Sequence, residues 1–311
     1  MAAPGDRGPA AADEPVRLQT GDLEAAFLPG RGMLGVSLRH RGDELLRRLE
    51  DLEGAAAKGS TAGIPLLHPF ANRLAATRYR AAGREVTLDP ASPLVHLDEH
   101  RLPIHGVPWA RLAWEVVDAA PDRLVAGLEW NRPELLGVFP FPHRLELVAT
   151  LRTDTLTLET TLFAGDGGPV PVSFGFHPYL GLPGLPREQW RIQLPAMRRL
   201  TLDAAGIPTG EEVPAGALDV PLAGLDLDGG FAVLDERPVF AIAGAGRRIS
   251  VEFIAGFPYA QVFAPRGKAY VALEPMTAPT SALTSGRGLR LVEPGGRFGA
   301  EFRIRVEVLS V

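Results

Sequence analysis

The chain is 311 residues long, 46% hydrophobic, and carries a net charge of −5 from 32 basic and 37 acidic residues. That size and apolar content suit a large globular core, and charge spread so evenly excludes the concentrated positive field that nucleic acid requires. The absence of cysteine excludes disulfides, thiolate zinc sites and cysteine nucleophiles together, leaving His, Asp, Glu, Arg, Tyr, Ser and Lys for any chemistry.

The opening MAAPGDRGPAAADEP has no apolar run of signal-peptide length and reads as a disordered tail over residues 1–15. No segment approaches the ~18 uninterrupted apolar residues of a membrane helix, so a cytoplasmic protein without a membrane partner is expected. From Val16 onward, glycine and proline recur so often (35 and 29 residues) that few windows can hold a long helix. Strand signals follow at VRLQTGDLEAAFL and GVSLRHRGDELL. Between them Gly30 to Gly35, GRGMLG, satisfies G-x-G-x-x-G, but a strand-like VSLRH follows and no βαβ alternation surrounds it, so a strand-linking glycine turn is expected rather than a nucleotide site. DELLRRLEDLE and FANRLAATRYRAA are the best helical candidates, each short. His96 to His100 matches H-x-x-E-H, yet Pro93 and Pro103 leave too little room for a zinc-presenting helix.

Further strands are signalled at ARLAWEVVDAAPDRLVAGLEW, and His143 to Ala164 holds two alternating runs joined across Arg152-Thr153-Asp154, a hairpin. ISVEFIAGFPYAQVFAP and AEFRIRVEVLSV extend the pattern to the last residue. With no dividing linker and no fixed repeat, the expected architecture is all-β: one large antiparallel sandwich domain over residues 16–311, with few short helices.

Four islands put polar groups into apolar, proline-marked segments: GIPLLHPFANRL (Gly63 to Leu74), LPIHGVPWA (Leu102 to Ala110), FGFHPYLGL (Phe174 to Leu182) and VALEPMTAPTSAL (Val271 to Leu283). A buried imidazole or carboxylate needs a hydrogen-bond partner, a metal or a substrate. Two histidines, a glutamate and an arginine on a β scaffold supply an acid, a base and hydroxyl-binding groups, a sugar site in outline. Tyr179, Trp109 and Phe70 offer ring faces for a pyranose.

At these residues the chain resembles the aldose 1-epimerase (galactose mutarotase) family, in order, from about Val16 to Val308. The family's glycine-isoleucine-proline entry leading to Asn-Arg is similar to GIPLLHPFANRL, its His-Gly to His105-Gly106, its His-Pro-Tyr to His177-Pro178-Tyr179, and its Glu-Pro to Glu274-Pro275. An Asp-x-x-Phe is matched by Asp228 to Phe231. The resemblance implies a β-supersandwich and interconversion of the α and β anomers of a free aldohexose, of the galactose or glucose class, with neither cofactor nor metal. It implies Glu274 as the base on the anomeric hydroxyl, His177 as the acid on the ring oxygen, His105 as a second histidine at that oxygen, and Arg73, Asn72, Asp228 and Tyr179 as sugar contacts. Reference pKa values of about 6.5 and 4.3 leave a histidine partly protonated and a glutamate ionised near neutrality. Two departures bear on sugar identity: His68 stands where the family favours an aromatic, and Thr280-Ser281-Ala282 where an acidic or amide residue is common. A branch acting on hexose 6-phosphates, with Arg73, Arg78 and Arg80 offered as its cation cluster, and a non-catalytic carbohydrate-binding protein of the same fold are the alternatives.

Overall fold

The computed structural model describes residues 14–309; most of the expected N-terminal tail lies outside them. Two large antiparallel sheets dominate. The nine-stranded sheet runs, edge to edge, Leu218–Pro221, Arg191–Leu194, Val239–Gly244, Arg247–Ala255, Arg297–Val308, Thr155–Ala164, His143–Leu151, Arg123–Trp130 and Glu115–Ala120. The second runs Pro208–Ala215, Met197–Leu202, Leu227–Val233, Tyr259–Ala264, Val271–Met276, Gly175–Phe176 and Leu66–Leu67, with Tyr179–Leu180 also pairing with Val271–Met276. A four-stranded sheet of Val16–Thr20, Leu23–Leu28, Leu34–His40 and Asp43–Glu44 precedes them. This is the expected β-supersandwich.

Alternation drives the large sheets. In His143–Leu151 every second residue is buried, so one face of the strand meets the core and the other is left more accessible. The expected hairpin forms with His143 opposite Ala164 and Leu151 opposite Leu156. Across the sandwich the ring of Phe176, in the second sheet, lies 4.9 Å from that of Phe302, in the first, within one apolar cluster fed by both sheets.

The glycine turn at Gly30 to Gly35 is a short 3-10 turn, Pro29–Arg31, ended by left-handed Gly32 (φ 73°) before the strand Leu34–His40. The two helical expectations fail. DELLRRLEDLE is a two-residue strand and an irregular stretch, with helix only at Leu52–Ala57, and FANRLAATRYRAA is bends followed by the strand Arg78–Ala81. Long-range pairing overrides local propensity in the second case: Arg73 bridges Ile104, and Phe70 bridges Ser173. The other helices, Pro133–Val138 and Ala282–Ser285, are equally short. His96 to His100 is a turn with Leu97 bridging Pro103, and both Glu99 and His100 are exposed.

Candidate active site

The site is built on one ladder. Val271–Met276 is buried along its whole length, and its alternation sends Val271 and Leu273 into the core and Ala272, Glu274 and Met276 to the opposite face. In the next strand Ala260, Val262 and Ala264 enter the core, so Tyr259, Gln261 and Phe263 share the face of Glu274. The register pairs Gln261 with Glu274, Phe263 with Ala272 and Tyr259 with Met276. One strand further, Asp228 lies opposite Phe263 and Gly230 opposite Gln261. Gly230 leaves room on this face, since a Cβ there would sit 3.2 Å from Gln261 Oε1, and Gln261 Nε2 donates to Asp228 Oδ1 at 2.7 Å.

His177 enters from the link between Gly175–Phe176 and Tyr179–Leu180, two short strands that both pair with Val271–Met276. Its backbone N–H is held by Pro65 O, and its Nε2 lies 3.3 Å from Glu274 Oε1. Tyr179 stacks on the imidazole with centroids 4.1 Å apart, and its phenol is held by the Thr61 hydroxyl at 2.6 Å. The Arg47 guanidinium sits over Tyr270 and Tyr179, 4.9 and 5.4 Å from their centroids. His105 meets His177 edge-on at 5.7 Å.

Two loops carry His105 and the Asn72-Arg73 pair, and they are tied together. His105 N–H donates to Asn72 O, and Val107 N–H to His68 O. Asn72 (φ 53°) and His105 (φ 62°) both adopt left-handed backbone, a conformation that L residues hold only where surrounding structure enforces it and that gathers at functional sites. Gly106 must be glycine, because a Cβ would come within 2.3 Å of His68 O. Arg73 Nε donates to Asp98 Oδ2 at 2.5 Å and its Nη2 to Glu99 Oε1 at 3.2 Å. Burial raises the Asp98 carboxyl, but the Leu102 N–H and the Arg73 guanidinium outweigh it and hold the group below the usual carboxylate range.

Asn72, Arg73, Asp228 and Gln261 line a solvent-open cleft of about 660 Å³, and Gln261 of that lining pairs in register with the buried Glu274. The structure thus brings Glu274, His177, His105 and Tyr179 together and sets Asn72, Arg73 and Asp228 beside them. It corrects one of the other two ring assignments, since Phe70 is packed in the core; Trp109 is buried with its indole N–H donating to Ser60 O and borders a small cavity with His105. Gln261, Phe263, Tyr270, Thr61 and Arg47 escaped the sequence reading. Gln261 alone left a signal there, as the polar member of the alternating YAQVF. His68 does not face the cleft; its ring is edge-on to Trp130 at 4.8 Å.

Electrostatics moves the acid and the base in opposite directions. His177 and Glu274 are 5% and 1% exposed, and among the described residues His105 Nδ1, His177 Nδ1 and both Glu274 oxygens lack a hydrogen bond of normal geometry. Burial therefore penalises charge on each. Glu274 is pushed well above the usual carboxylate range by burial and then by the charge of Asp228. His177 is pushed well below the usual histidine range by burial and then by His105, and His105 falls to about 3, mainly through burial, with Arg73 adding to it. Both shifts favour the uncharged form, the carboxylic acid on Glu274 and the neutral imidazole on His177.

A family model for aldose 1-epimerases matches residues 16–305. The uncharacterized protein YihR of Escherichia coli K12 is 27% identical over 251 residues, covering 75% of this chain and 77% of its own. Among solved structures, the Slr1438 protein of Synechocystis sp. PCC 6803 is 26% identical with a TM-score of 0.77 over 99% of each chain. A galactose mutarotase-like protein of Clostridium acetobutylicum, 18% identical, superposes with a TM-score of 0.81 over 94% of this chain and 95% of its own, a likeness of fold. By the family match over nearly its whole length, the chain belongs to the aldose 1-epimerase family.

Proposed function

We propose that the protein is a mutarotase that interconverts the anomers of a free aldohexose, using Glu274 as base and His177 as acid. The observation that carries this reading is a buried carboxyl and a buried imidazole 3.3 Å apart, both short of protein hydrogen bonds, beside a cleft lined by hydroxyl-binding groups. A proton passing from the Glu274 carboxyl to the His177 imidazole gives the working carboxylate–imidazolium form without changing the net charge of the buried pair. The carboxylate then takes the proton of the C1 hydroxyl as the C1–O5 bond breaks, and the imidazolium delivers its proton to O5. C1 becomes an aldehyde carbon, the C1–C2 bond rotates, and ring closure returns both protons. Each proton leaves one group and enters another, so no cofactor is called for. Positioned acid–base catalysis of this kind contributes typically ~10²–10⁴-fold.

The charge of the cleft favours a neutral sugar over a sugar phosphate. Arg73 is already answered by Asp98 and Glu99, and Asp203 and Asp228 add negative charge to the lining. Arg78 pairs with Glu85 in the hairpin of Arg78–Ala81 and Arg84–Thr87, outside the cleft lining. Polarimetry on freshly dissolved α-glucose, α-galactose and glucose 6-phosphate tests the reading. Accelerated equilibration of a free hexose is expected, and acceleration confined to the phosphate overturns the substrate assignment. No acceleration with any of the three defeats the mutarotase reading and leaves a binding role.

A further inference from the structure

Two guanidinium groups stand near the candidate catalytic pair, and only one of them is neutralised. Arg73 is answered by Asp98 and Glu99, whereas among the described residues no carboxylate forms an ion pair with Arg47. Its Nη1 donates to Thr61 O at 3.0 Å, and its charge lies over the rings of Tyr270 and Tyr179.

The backbone fixes Arg47 against the strand of Tyr179. Leu46 bridges Leu180, Arg47 N–H donates to Tyr179 O, and Gly63 joins the two segments by donating to Arg47 O and accepting from Tyr179 N–H. Thr61 holds both members of the contact, its carbonyl taking the guanidinium and its hydroxyl bonding the Tyr179 phenol. Tyr179 in turn lies nearly parallel to the His177 imidazole, with 12° between the ring planes. A cation over an aromatic face is attracted to the ring quadrupole, so the guanidinium helps to keep the phenol ring where it is. Burial pushes the Tyr179 phenol up, so the ring itself adds no negative charge between Arg47 and His177.

We propose that Arg47 is a positioning residue for the proton-donating histidine: it clamps Tyr179 against the imidazole, and its unneutralised charge opposes a positive charge on His177. This rests on the reading above in which His177 is the acid. The ring oxygen of a pyranose is a weak base, and an imidazolium crowded by a fixed cation gives up its proton more readily. The other groups that face His177 are Glu274 at 3.3 Å, which favours the imidazolium once ionised, His105 edge-on at 5.7 Å, which opposes it, and the uncharged ring of Phe263 at 6.1 Å. Asp228 stands beyond them, bound to Gln261. Burial and His105 act most strongly against charge on His177, and Arg47 acts in the same direction.

The test follows the acidic limb of kcat/KM, where the resting pair gains a proton at the imidazole, in wild type, Arg47→Gln and Arg47→Lys. Arg47 is exposed and lies outside the cleft lining, so both variants should fold and keep KM within about twofold of wild type. The guanidinium is 5.4 Å from the Tyr179 centroid, which is 4.1 Å from that of His177. At about 10 Å or less, removing a unit charge moves a titration by about 0.3–1 pH unit. The limb should move up by that amount in Arg47→Gln, because the imidazole then keeps its proton to higher pH, and stay within about 0.2 unit of wild type in Arg47→Lys, which retains the charge. An unmoved limb in Arg47→Gln overturns the proposal while leaving the mutarotase reading in place. An equal shift in Arg47→Lys overturns it too, as does a raised KM with the limb unmoved, which makes Arg47 a sugar contact. If no hexose is turned over, the mutarotase reading falls and NMR of ring-labelled histidine decides Arg47 alone, His177 being the signal missing from His177→Asn. At the lowest pH that keeps both proteins folded, Arg47→Gln should show a larger protonated fraction of His177 than wild type; equal fractions overturn the proposal.

Discussion

Among the described residues two histidine clusters are buried, and they are finished differently. In the core, His68 Nε2 and His143 Nε2 lie 2.9 Å apart, and His143 Nδ1 lies 2.6 Å from Phe141 O. A carbonyl only accepts, so His143 is protonated at Nδ1, its Nε2 takes the His68 N–H, and both rings are neutral. Trp130 stacks on His143 and Phe139 closes the edge. That pair leaves one polar atom, His68 Nδ1, without a partner, whereas the cluster of His105, His177 and Glu274 leaves four. Burial is the same in kind; what separates the clusters is hydrogen-bond completeness. A satisfied pair holds structure, whereas buried polar atoms without a protein partner mark a candidate functional site.

Breaking the unsatisfied cluster should have the largest effect. Glu274→Gln and His177→Asn are each expected to cut kcat by ~10²–10⁴-fold in a protein that stays folded by circular dichroism, and a near-normal rate in either defeats the assignment. The pH profile sharpens the comparison. With Glu274 raised and His177 lowered, the resting pair gains its next proton at the imidazole and loses one at the carboxyl. In whatever activity remains, Glu274→Gln should abolish the alkaline limb and His177→Asn the acidic limb. Ordinary protonation states give the reverse, so the limb that disappears decides between them.

Stability follows from the same shift. A carboxyl whose folded pKa is raised contributes fully below its ordinary value of 4.5 and loses that contribution as pH rises toward the folded value. Glu274→Gln does not titrate, so its urea midpoint should gain on wild type between pH 5 and pH 8. A constant difference across that range means that Glu274 is already ionised in the folded protein.

Arg73→Ala should have an intermediate and double effect. It removes a donor from the cleft, raising KM, and it strips the guanidinium from the Asp98 side chain, which is 2% exposed, so stability should fall by about 1–3 kcal/mol. Unchanged denaturation midpoints with a raised KM would show that the Leu102 and His100 N–H groups hold Asp98 unaided.

The smallest effect on activity is expected from the satisfied pair. His68→Phe with His143→Leu removes both partners together, which leaves no buried orphan between them and should leave kcat/KM within about twofold of wild type. Its effect belongs to acid stability. Burial lowers His143 to about 4 and His68 well below the usual range, so their contribution is present above about 6.5 and drains as pH falls through the folded values. The double variant should lose less stability than wild type between pH 6.5 and pH 4, each histidine accounting for up to about 1.4 kcal/mol per pH unit. Equal losses would place the acid sensitivity on the other lowered histidines, His40, His105 and His177.

The sequence by itself determined the strands and the principal polar residues of the candidate site. Period-two alternation is written locally, so LELVATL and LTLETTL announced their hairpin. Polar residues in apolar, proline-marked segments announced His105, His177 and Glu274, because a buried polar group is costly enough to need a reason. Tertiary structure decided what depends on pairing between distant segments. The helical stretch expected at FANRLAATRYRAA gave way to bridges with Ile104 and Ser173. His68 found His143, 75 residues away, and so left the cleft, while Arg73 found Asp98. Gln261 became a site residue only when the register set it beside Glu274. The opposite shifts of Glu274 and His177 have the same origin: a pKa follows from the water, charges and hydrogen bonds around a group, and those neighbours exist only once the sheets have closed over it.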